Sequence, residues 1–210
     1  QARANRWSDA DRTYARATAA APSARLALKR YAVRRDGRLG KVAEPLEAWL
    51  AVDPRDLAVR RALAESHLGG GRLEEAVAEF ERVLAAAPRD PVALNNLAWV
   101  YHRKGDARAL ETARRAFDLA PAVPEIADTY GWLLVESGEV ARGLPLIENA
   151  ARVKSADPDI QYHLAAAYAR GGQPERAEAV LAALLSEDRP FASRAEAERL
   201  QAALRGQDME

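Results

Sequence analysis

Residues 57–90 read LAVRRALAESHLGGGRLEEAVAEFERVLAAAPRD, two helical patterns separated by glycines and closed by a proline. Leu63 marks the apolar face of the first pattern. In the second, Ala76, Phe80 and Val83 recur at the i, i+4 and i+7 spacing of an amphipathic helix. Glycine often ends a helix in left-handed backbone, and proline cannot continue one. The stretch therefore predicts a helix A, a glycine turn and a helix B.

The same signals recur at a nearly fixed period along the chain. Prolines at the ends of helical patterns recur at intervals of about 33 residues: Pro22, Pro54, Pro88 and Pro121. Glycines at the predicted turns recur at intervals of about 34 residues: Gly37, Gly71, Gly105, Gly138 and Gly172. Small residues among large ones, such as Gly131 and Gly143, predict that the two helices of a unit cross at close range.

A helix–turn–helix unit of about 34 residues with this packing pattern resembles the tetratricopeptide repeat (TPR). The resemblance implies an all-α, right-handed α-solenoid, because each repeat buries its apolar face only against its neighbours. The predicted organisation is a half repeat at 1–22 (helix B only), five repeats at about 23–56, 57–90, 91–123, 124–157 and 158–191, a capping helix at 192–205 and a disordered tail at 206–210. The 23–56 repeat departs most from the pattern, since Lys29 and Arg30 stand where Leu and Gly are usual.

The composition argues against several classes of function. The chain has no cysteine, which excludes disulfides, thiolate catalysis and cysteine-bound metals. The sequence contains no hydrolase motif and no P-loop, and His67, His102 and His163 do not lie in a zinc-binding motif. His67 is predicted to pack between helices. No apolar run is long enough to span a membrane. We therefore expect a non-catalytic protein with no metal, no cofactor and no affinity for nucleic acid.

Charge is balanced over the whole chain but not along it. Residues 1–54 carry an excess of five positive charges, and residues 55–210 carry the opposite excess. The densest basic cluster consists of Arg30, Arg34, Arg35, Arg38 and Lys41. It is interpreted either as a solvated helix end, where the helix dipole favours cations, or as a docking patch for an acidic partner.

In TPR proteins, side chains at fixed positions of helix A line a concave groove that binds a protein or peptide segment. Carried over to this sequence, the groove residues are Arg61, Glu65, Asn95, Asn96, Trp99, His102, Arg103, Asp128, Thr129, Trp132, Glu136, Tyr162, His163 and Arg170. The carboxylate clamp of chaperone-binding TPR proteins is not expected, because Glu65 and Glu125 stand where that clamp requires cations.

Trp99 and Trp132 are separated by one repeat length and hence occupy equivalent positions of neighbouring repeats. Two interpretations stay open: an aromatic platform for an apolar peptide side chain or a sugar ring, or packing against the neighbouring helix. Asn95 and Asn96 either hydrogen-bond the backbone of an extended ligand or face water. Binding of an exopolysaccharide by the same groove is the alternative to binding of a protein segment.

The segments ALNNLAWVY (93–101), GDARALETARRA (105–116), DTYGWLL (128–134) and DIQYHLAAAY (159–168) are more particular than a generic repeat. They resemble the C-terminal repeats of bacterial TPR lipoproteins associated with PEP-CTERM/exosortase and exopolysaccharide loci. The resemblance implies a periplasm-facing scaffold of the cell envelope for polymer export or protein sorting, with a cytoplasmic location as the alternative. The lone methionine, Met209, and an opening at Gln1 inside a helical pattern lead us to expect a piece of a longer protein.

Overall fold

The computed structural model describes residues 2–186 and 189–207, which form twelve α-helices and no β-strand. The helices are α1 (Ala2–Ala20), α2 (Ala24–Asp36), α3 (Glu44–Val52), α4 (Leu57–Gly69), α5 (Leu73–Ala86), α6 (Pro91–Lys104), α7 (Ala109–Leu119), α8 (Pro124–Glu136), α9 (Val140–Val153), α10 (Pro158–Arg170), α11 (Pro174–Leu185) and α12 (Arg194–Gln207). The fold class of the described residues is therefore all-α. A membrane-spanning segment is not found among these helices, since none has the required length and hydrophobicity.

The chain divides into two compact units, which we call the N-terminal unit (Gln1–Val100) and the C-terminal unit (Tyr101–Glu210). The even-numbered helices from α2 to α10 begin the five predicted repeats, and the odd-numbered helices from α3 to α11 complete them. The last helix, α12, runs on to Gln207. Residues 206 and 207 are thus helical rather than part of the predicted tail, whose last three residues lie outside the described ranges.

Part of the core of the N-terminal unit lies between α2, α3, α4 and α5. The first three of these helices bury one apolar cluster, made of Tyr31, Ala43, Leu46, Val59 and Leu63. On α5, Phe80 and Val83 are fully buried, and Asp56 caps α4 by accepting a hydrogen bond from the Val59 amide at 3.0 Å. Burying an apolar side chain of this size stabilises the fold by about 1.5–3 kcal/mol, so packing rather than helix propensity holds these short helices.

Four of the five helix A–helix B turns have the predicted glycine in left-handed backbone, with φ between +68° and +89°: Gly71, Gly105, Gly138 and Gly172. In each turn the next amide donates to the carbonyl five residues back, as Arg72 does to His67 at 2.9 Å. The prediction for Gly37 is wrong, since its φ is −80°. The left-handed residue is Arg38 (φ 51°), and the Leu39 amide donates to the Arg34 carbonyl at 2.8 Å.

Gly37 has a different physical role from the turn glycines. A Cβ at this position would lie 2.7 Å from Cβ of Trp7 and 2.8 Å from the Val33 carbonyl oxygen. The glycine therefore permits α1 to approach the end of α2 closely. Gly37 has the sequence spacing of the turn glycines, but its structural role is to leave room for α1.

The basic cluster divides into internal and external residues. Arg30 and Arg34 each donate from Nε to Oδ1 of Asp11, at 2.9 Å and 2.8 Å, and Arg34 Nη1 lies 2.5 Å from Glu44 Oε2. The side chains of Arg30 and Arg34 are only 15% and 11% exposed. These two arginines link α1, α2 and α3 through their bonds to Asp11 and Glu44. They are therefore neither part of a solvated helix end nor available to an acidic partner, and both interpretations are wrong for them.

In the C-terminal unit, α8 is the most buried helix. Every residue from 126 to 135 is buried, because α7, α9 and α10 all pack against α8. The closest approach is between Gly131 of α8 and Gly143 of α9, where a Cβ at Gly131 would lie 2.9 Å from the Gly143 carbonyl oxygen. The two glycines therefore set the distance between these helices, and this distance in turn helps to position the outer face of α8.

Candidate functional site

The predicted groove residues belong to both units. Those of the N-terminal unit are Arg61, Glu65, Asn95, Asn96 and Trp99. Those of the C-terminal unit are His102, Arg103, Asp128, Thr129, Trp132, Glu136, Tyr162, His163 and Arg170. They lie on α4, α6, α8 and α10, the first helices of four successive repeats.

In the N-terminal unit three of the polar groove residues, Arg61, Glu65 and Asn96, have partners within the protein. Arg61 donates to Asp90 at 3.0 Å, and Asn96 donates to Glu65 at 3.2 Å. Oδ1 of Asn95 is buried and has no hydrogen-bond partner among the described residues. Trp99 is half-buried. The Asn96–Glu65 bond links α6 to α4 and orients both side chains on the helix A face.

In the C-terminal unit the predicted residues of α8 and α10 form one connected cluster, apart from the buried Thr129, whose hydroxyl donates to the Glu125 carbonyl at 2.9 Å. At its centre, Asp128 Oδ2 lies 2.8 Å from His163 Nδ1, a contact between residues 35 positions apart in the chain. The His163 ring stacks on Trp132 with centroids 4.5 Å apart and planes 15° apart. All three side chains are buried, so α8 and α10 share a buried polar and aromatic contact.

The outer part of the same cluster is accessible to solvent. Tyr162 is half-buried, with its ring centroid 6.0 Å from that of Trp132. Arg170 lies over the Trp132 ring at 5.0 Å and forms an ion pair with Glu136. The side chains of Arg170 and Glu136 are 45% and 30% exposed. We call the surface formed by Glu136, Tyr162 and Arg170, which lies over the buried Trp132, the α8–α10 surface.

The buried pair beneath this surface is electrostatically unusual. Burial raises the pKa of Asp128 above its ordinary 3.8, and the neighbouring His163 acts in the opposite direction. Oδ1 of Asp128 has no hydrogen-bond partner among the described residues. Replacing such a buried pair by apolar side chains often leaves stability unchanged or increases it. Perturbed carboxylates of this kind are typical of functional sites, although structural networks also produce them.

The predicted Trp platform is not present at Trp132. The side chain is only 6% exposed, with His163 stacked on it and Arg170 over the ring. At this position the structure agrees with the packing interpretation. A sugar ring needs an open aromatic face, which Trp132 does not offer.

His102 and Arg103, the last two predicted groove residues of α6, differ in their exposure, and the third histidine lies on α4. His102 is half-buried, and burial lowers its pKa, while Arg103 is exposed. His67 of α4 is also partly buried, and its Nδ1 accepts a hydrogen bond from Arg72 Nε at 2.9 Å. Within the described ranges no three His, Asp or Glu side chains are placed to hold a metal ion.

Sequence reasoning placed neither Tyr31 nor Arg35 of α2 in the groove, and named Arg35 only as part of the basic cluster. They stand at positions 9 and 13 of the 23–56 repeat, two of the positions that face the groove, and Arg35 lies 5.6 Å from the Tyr31 ring centroid. Counting positions from Pro22 would have found them. The unusual Lys29 and Arg30 obscured the register of this repeat.

Helix pairs that recur about every 34 residues, cross at small residues and end in left-handed glycines define a class of helical repeat protein. The chain matches the tetratricopeptide repeat family over residues 45–190 and belongs to this family. TPR proteins are generally non-catalytic scaffolds for protein–protein interaction. No curated protein shows significant sequence similarity to the chain.

Solved structures support the fold over nearly the whole chain. A tetratricopeptide repeat protein from Parabacteroides merdae is 15% identical with a TM-score of 0.74, over 97% of this chain and 81% of its own. TTC0263, a thermophilic TPR protein of Thermus thermophilus, is 21% identical with a TM-score of 0.65, over 86% and 95%. YrrB, described as a TPR protein with an unusual peptide-binding site, is 17% identical with a TM-score of 0.57, over 82% and 91%. These similarities place the chain in the α-solenoid fold class.

Proposed function

We propose that this protein is a scaffold that binds a segment of a partner protein, with the α8–α10 surface as the principal contact. The observation that carries the proposal is the connected cluster on α8 and α10. A buried Asp128–His163–Trp132 centre supports an accessible rim of Tyr162, Arg170 and Glu136. Tyr, Trp and Arg are the residues most enriched at the energetic centres of protein interfaces.

The rim is suited to exchange of partners. An exposed ion pair such as Arg170–Glu136 contributes at most about 1 kcal/mol, so an incoming segment can replace Glu136 on Arg170 at little cost. Tyr162 is half-buried, with its ring in contact with Trp132 and His163, so the remaining part of its surface is available to such a segment. The centre beneath is held by α8 and α10, so the surface does not need to form on binding.

Peptide binding by YrrB agrees with this proposal in kind. YrrB is similar in fold, and its description names a peptide-binding site. At 17% identity the similarity concerns the fold, so the residues that bind a peptide here are argued from the α8–α10 surface itself.

The test selects peptides on the wild-type chain from a random library and measures their affinity by fluorescence anisotropy. Arg170→Ala and Glu136→Ala each remove one charged side chain of the rim and are expected to change thermal stability little. We expect Arg170→Ala to lower the affinity for the selected peptides about tenfold, as is usual for an arginine at the centre of an interface. Arg152→Ala is the matched control, because Arg152 is an exposed cation on α9 in the same unit.

Two results would contradict the proposal. Equal affinity of all variants for the selected peptides would place binding elsewhere on the protein. Displacement of the peptides by neutral or acidic oligosaccharides would favour the carbohydrate alternative instead.

We further propose that the scaffold works in a bacterial envelope system for exopolysaccharide export or protein sorting, on the periplasmic side. The support is the resemblance of segments 93–101, 105–116, 128–134 and 159–168 to envelope TPR lipoproteins. Cell fractionation by osmotic shock of the source bacterium tests the location. Recovery of the protein with the cytoplasmic fraction would contradict it, and gene neighbours that encode chaperone or signalling proteins would contradict the envelope role.

A further inference from the structure

The turn between α2 and α3 differs from the four other turns between helix A and helix B. Arg38 occupies the left-handed position that glycine holds in those turns, and Lys41 is left-handed as well, with φ of 51° and 53°. This conformation is disfavoured for a residue with a side chain, because Cβ approaches a carbonyl oxygen, whereas glycine adopts it freely. Two cations are thus kept where glycine would be more stable, and retained backbone strain is typical of functional positions.

Both residues border a cleft of about 980 Å³ in the N-terminal unit. The cleft lies between the end of α2, the turn after it, the start of α3 and the end of α4. Its volume is at the upper end of the range for ligand pockets, about 300–1,000 Å³. Tyr31 and the apolar Leu39 and Val42 contribute to its wall. The cleft is therefore large enough for several residues of an extended peptide.

Most charged groups of this wall already have partners within the protein. The pairs are Arg35 with Asp36 at 2.8 Å, Arg72 with His67 at 2.9 Å, Glu44 with Arg34 at 2.5 Å, and Asn96 with Glu65 at 3.2 Å. Among the described residues, the side chains of Arg38, Lys41 and Glu47 have neither a hydrogen bond nor an ion pair. The cleft thus presents two unpaired cations against one unpaired carboxylate.

We propose that this cleft binds an acidic peptide segment of a partner protein, whose Asp or Glu carboxylates pair with Arg38 and Lys41. Charge complementarity identifies the occupant, since the unpaired excess is positive and lies around a cavity of peptide size. Carboxylate binding explains why these two left-handed positions hold cations: glycine at position 38 or 41 would relieve the strain but would remove the carboxylate-binding side chain. The cleft belongs to the N-terminal unit and shares no lining residue with the α8–α10 surface.

The first experiment separates strain from charge at Arg38. Arg38→Gly removes both and is expected to raise the melting temperature by about 2–4 °C. The same variant is expected to bind a fluorescein-labelled octapeptide of alternating Asp and Ala with an affinity up to about fivefold lower than that of the wild type. Arg38→Gln removes the charge but keeps the side chain, so the same loss of affinity is expected with no rise in melting temperature. Opposite effects of one glycine on stability and affinity would not arise at a merely structural position.

Three further variants define the electrostatics of the cleft. Arg38→Gln combined with Lys41→Gln is expected to lower the affinity for the octapeptide about tenfold or more. Glu47→Gln is expected to raise this affinity, because the substitution removes a negative charge that repels the acidic peptide. Arg55→Gln is the control, since Arg55 is an exposed cation of the same unit that does not line the cleft. It removes the same charge and should leave the affinity within about twofold at 150 mM salt.

Several results would overturn the proposal. Equal loss with Arg55→Gln and Arg38→Gln would show unspecific attraction, and equal binding of an octapeptide with Asn in place of Asp would exclude carboxylate recognition. A melting temperature of Arg38→Gly at or below that of the wild type would remove the strain argument. Arg170→Ala is expected to leave this affinity unchanged, so this proposal and that for the α8–α10 surface can each fail alone.

Discussion

Gly143→Ala tests the close crossing of α8 and α9, on which the position of the α8–α10 surface depends. A Cβ at Gly143 would come into contact with the Gly131 carbonyl oxygen and would lie 2.8 Å from Val135 Cγ2 and 3.1 Å from Leu134 Cβ. Val135 and Leu134 are only 2% exposed, and the oxygen belongs to the backbone of a buried helix. None of these groups can rotate away, so the two helices have to separate.

The magnitude follows from two opposing effects. Overpacking in a closely packed core costs about 1–3 kcal/mol, and a backbone contact places this case at the upper end. Alanine in a helix interior is favoured over glycine by about 1 kcal/mol. The net loss of unfolding free energy is therefore about 1–2 kcal/mol, which in a chain of this length lowers the melting temperature by roughly 2–8 °C.

Thermal unfolding followed by circular dichroism at 222 nm, with urea denaturation as a second measurement, gives the change. Gly69→Ala is the matched control, because Gly69 is helical and a Cβ there would have no heavy atom within 4 Å. It should be as stable as the wild type or slightly more so. If Gly143→Ala were as stable as Gly69→Ala, α8 and α9 would not cross at the distance described, and the reasoning would fail.

Two more predictions concern buried charges. Hydrogen bonds from Arg34 and then Arg30 lower the pKa of Asp11 below 3.8, so its contribution to stability is present above pH 3.8 and is lost as the pH falls through the folded pKa. Asp11→Asn should cost about 1–3 kcal/mol at pH 7, and its difference from the wild type in urea titrations should shrink below about pH 4. His163→Leu leaves the Asp128 carboxyl buried without its hydrogen-bond partner and should cost about 3–5 kcal/mol at pH 7, and Asp128→Asn in the same chain should recover part of it. No loss with His163→Leu would mean that the pair does not form.

The repeat architecture could be predicted because its signals are local. Helix periodicity, terminal glycines and prolines each depend on a few neighbouring residues, and their recurrence at one nearly constant interval showed how many helix pairs to expect. Four of the five turn glycines are left-handed as predicted. Leu63, Phe80 and Val83 are buried as their spacing indicated.

The positions that sequence reasoning misplaced are those where a distant neighbour decides. Gly37 has the spacing of a turn glycine, but Trp7 of α1 packs where its Cβ would be, and Arg38 takes the left-handed position. Arg30 and Arg34 look like a solvated basic end, but Asp11 lies opposite them.

From the sequence alone we could therefore predict the helices, their pairing and the helix A face that carries the proposed binding residues. Only the tertiary structure decided that Trp132 is covered by His163 and Arg170, that Asp128 and His163 form a buried pair, and that Arg38 and Lys41 border a cleft. The physical reason is that a helical period specifies which face a side chain occupies. The rotation and distance between packed helices specify what it meets there, and these depend on residues such as Gly131 and Gly143 on both helices at once.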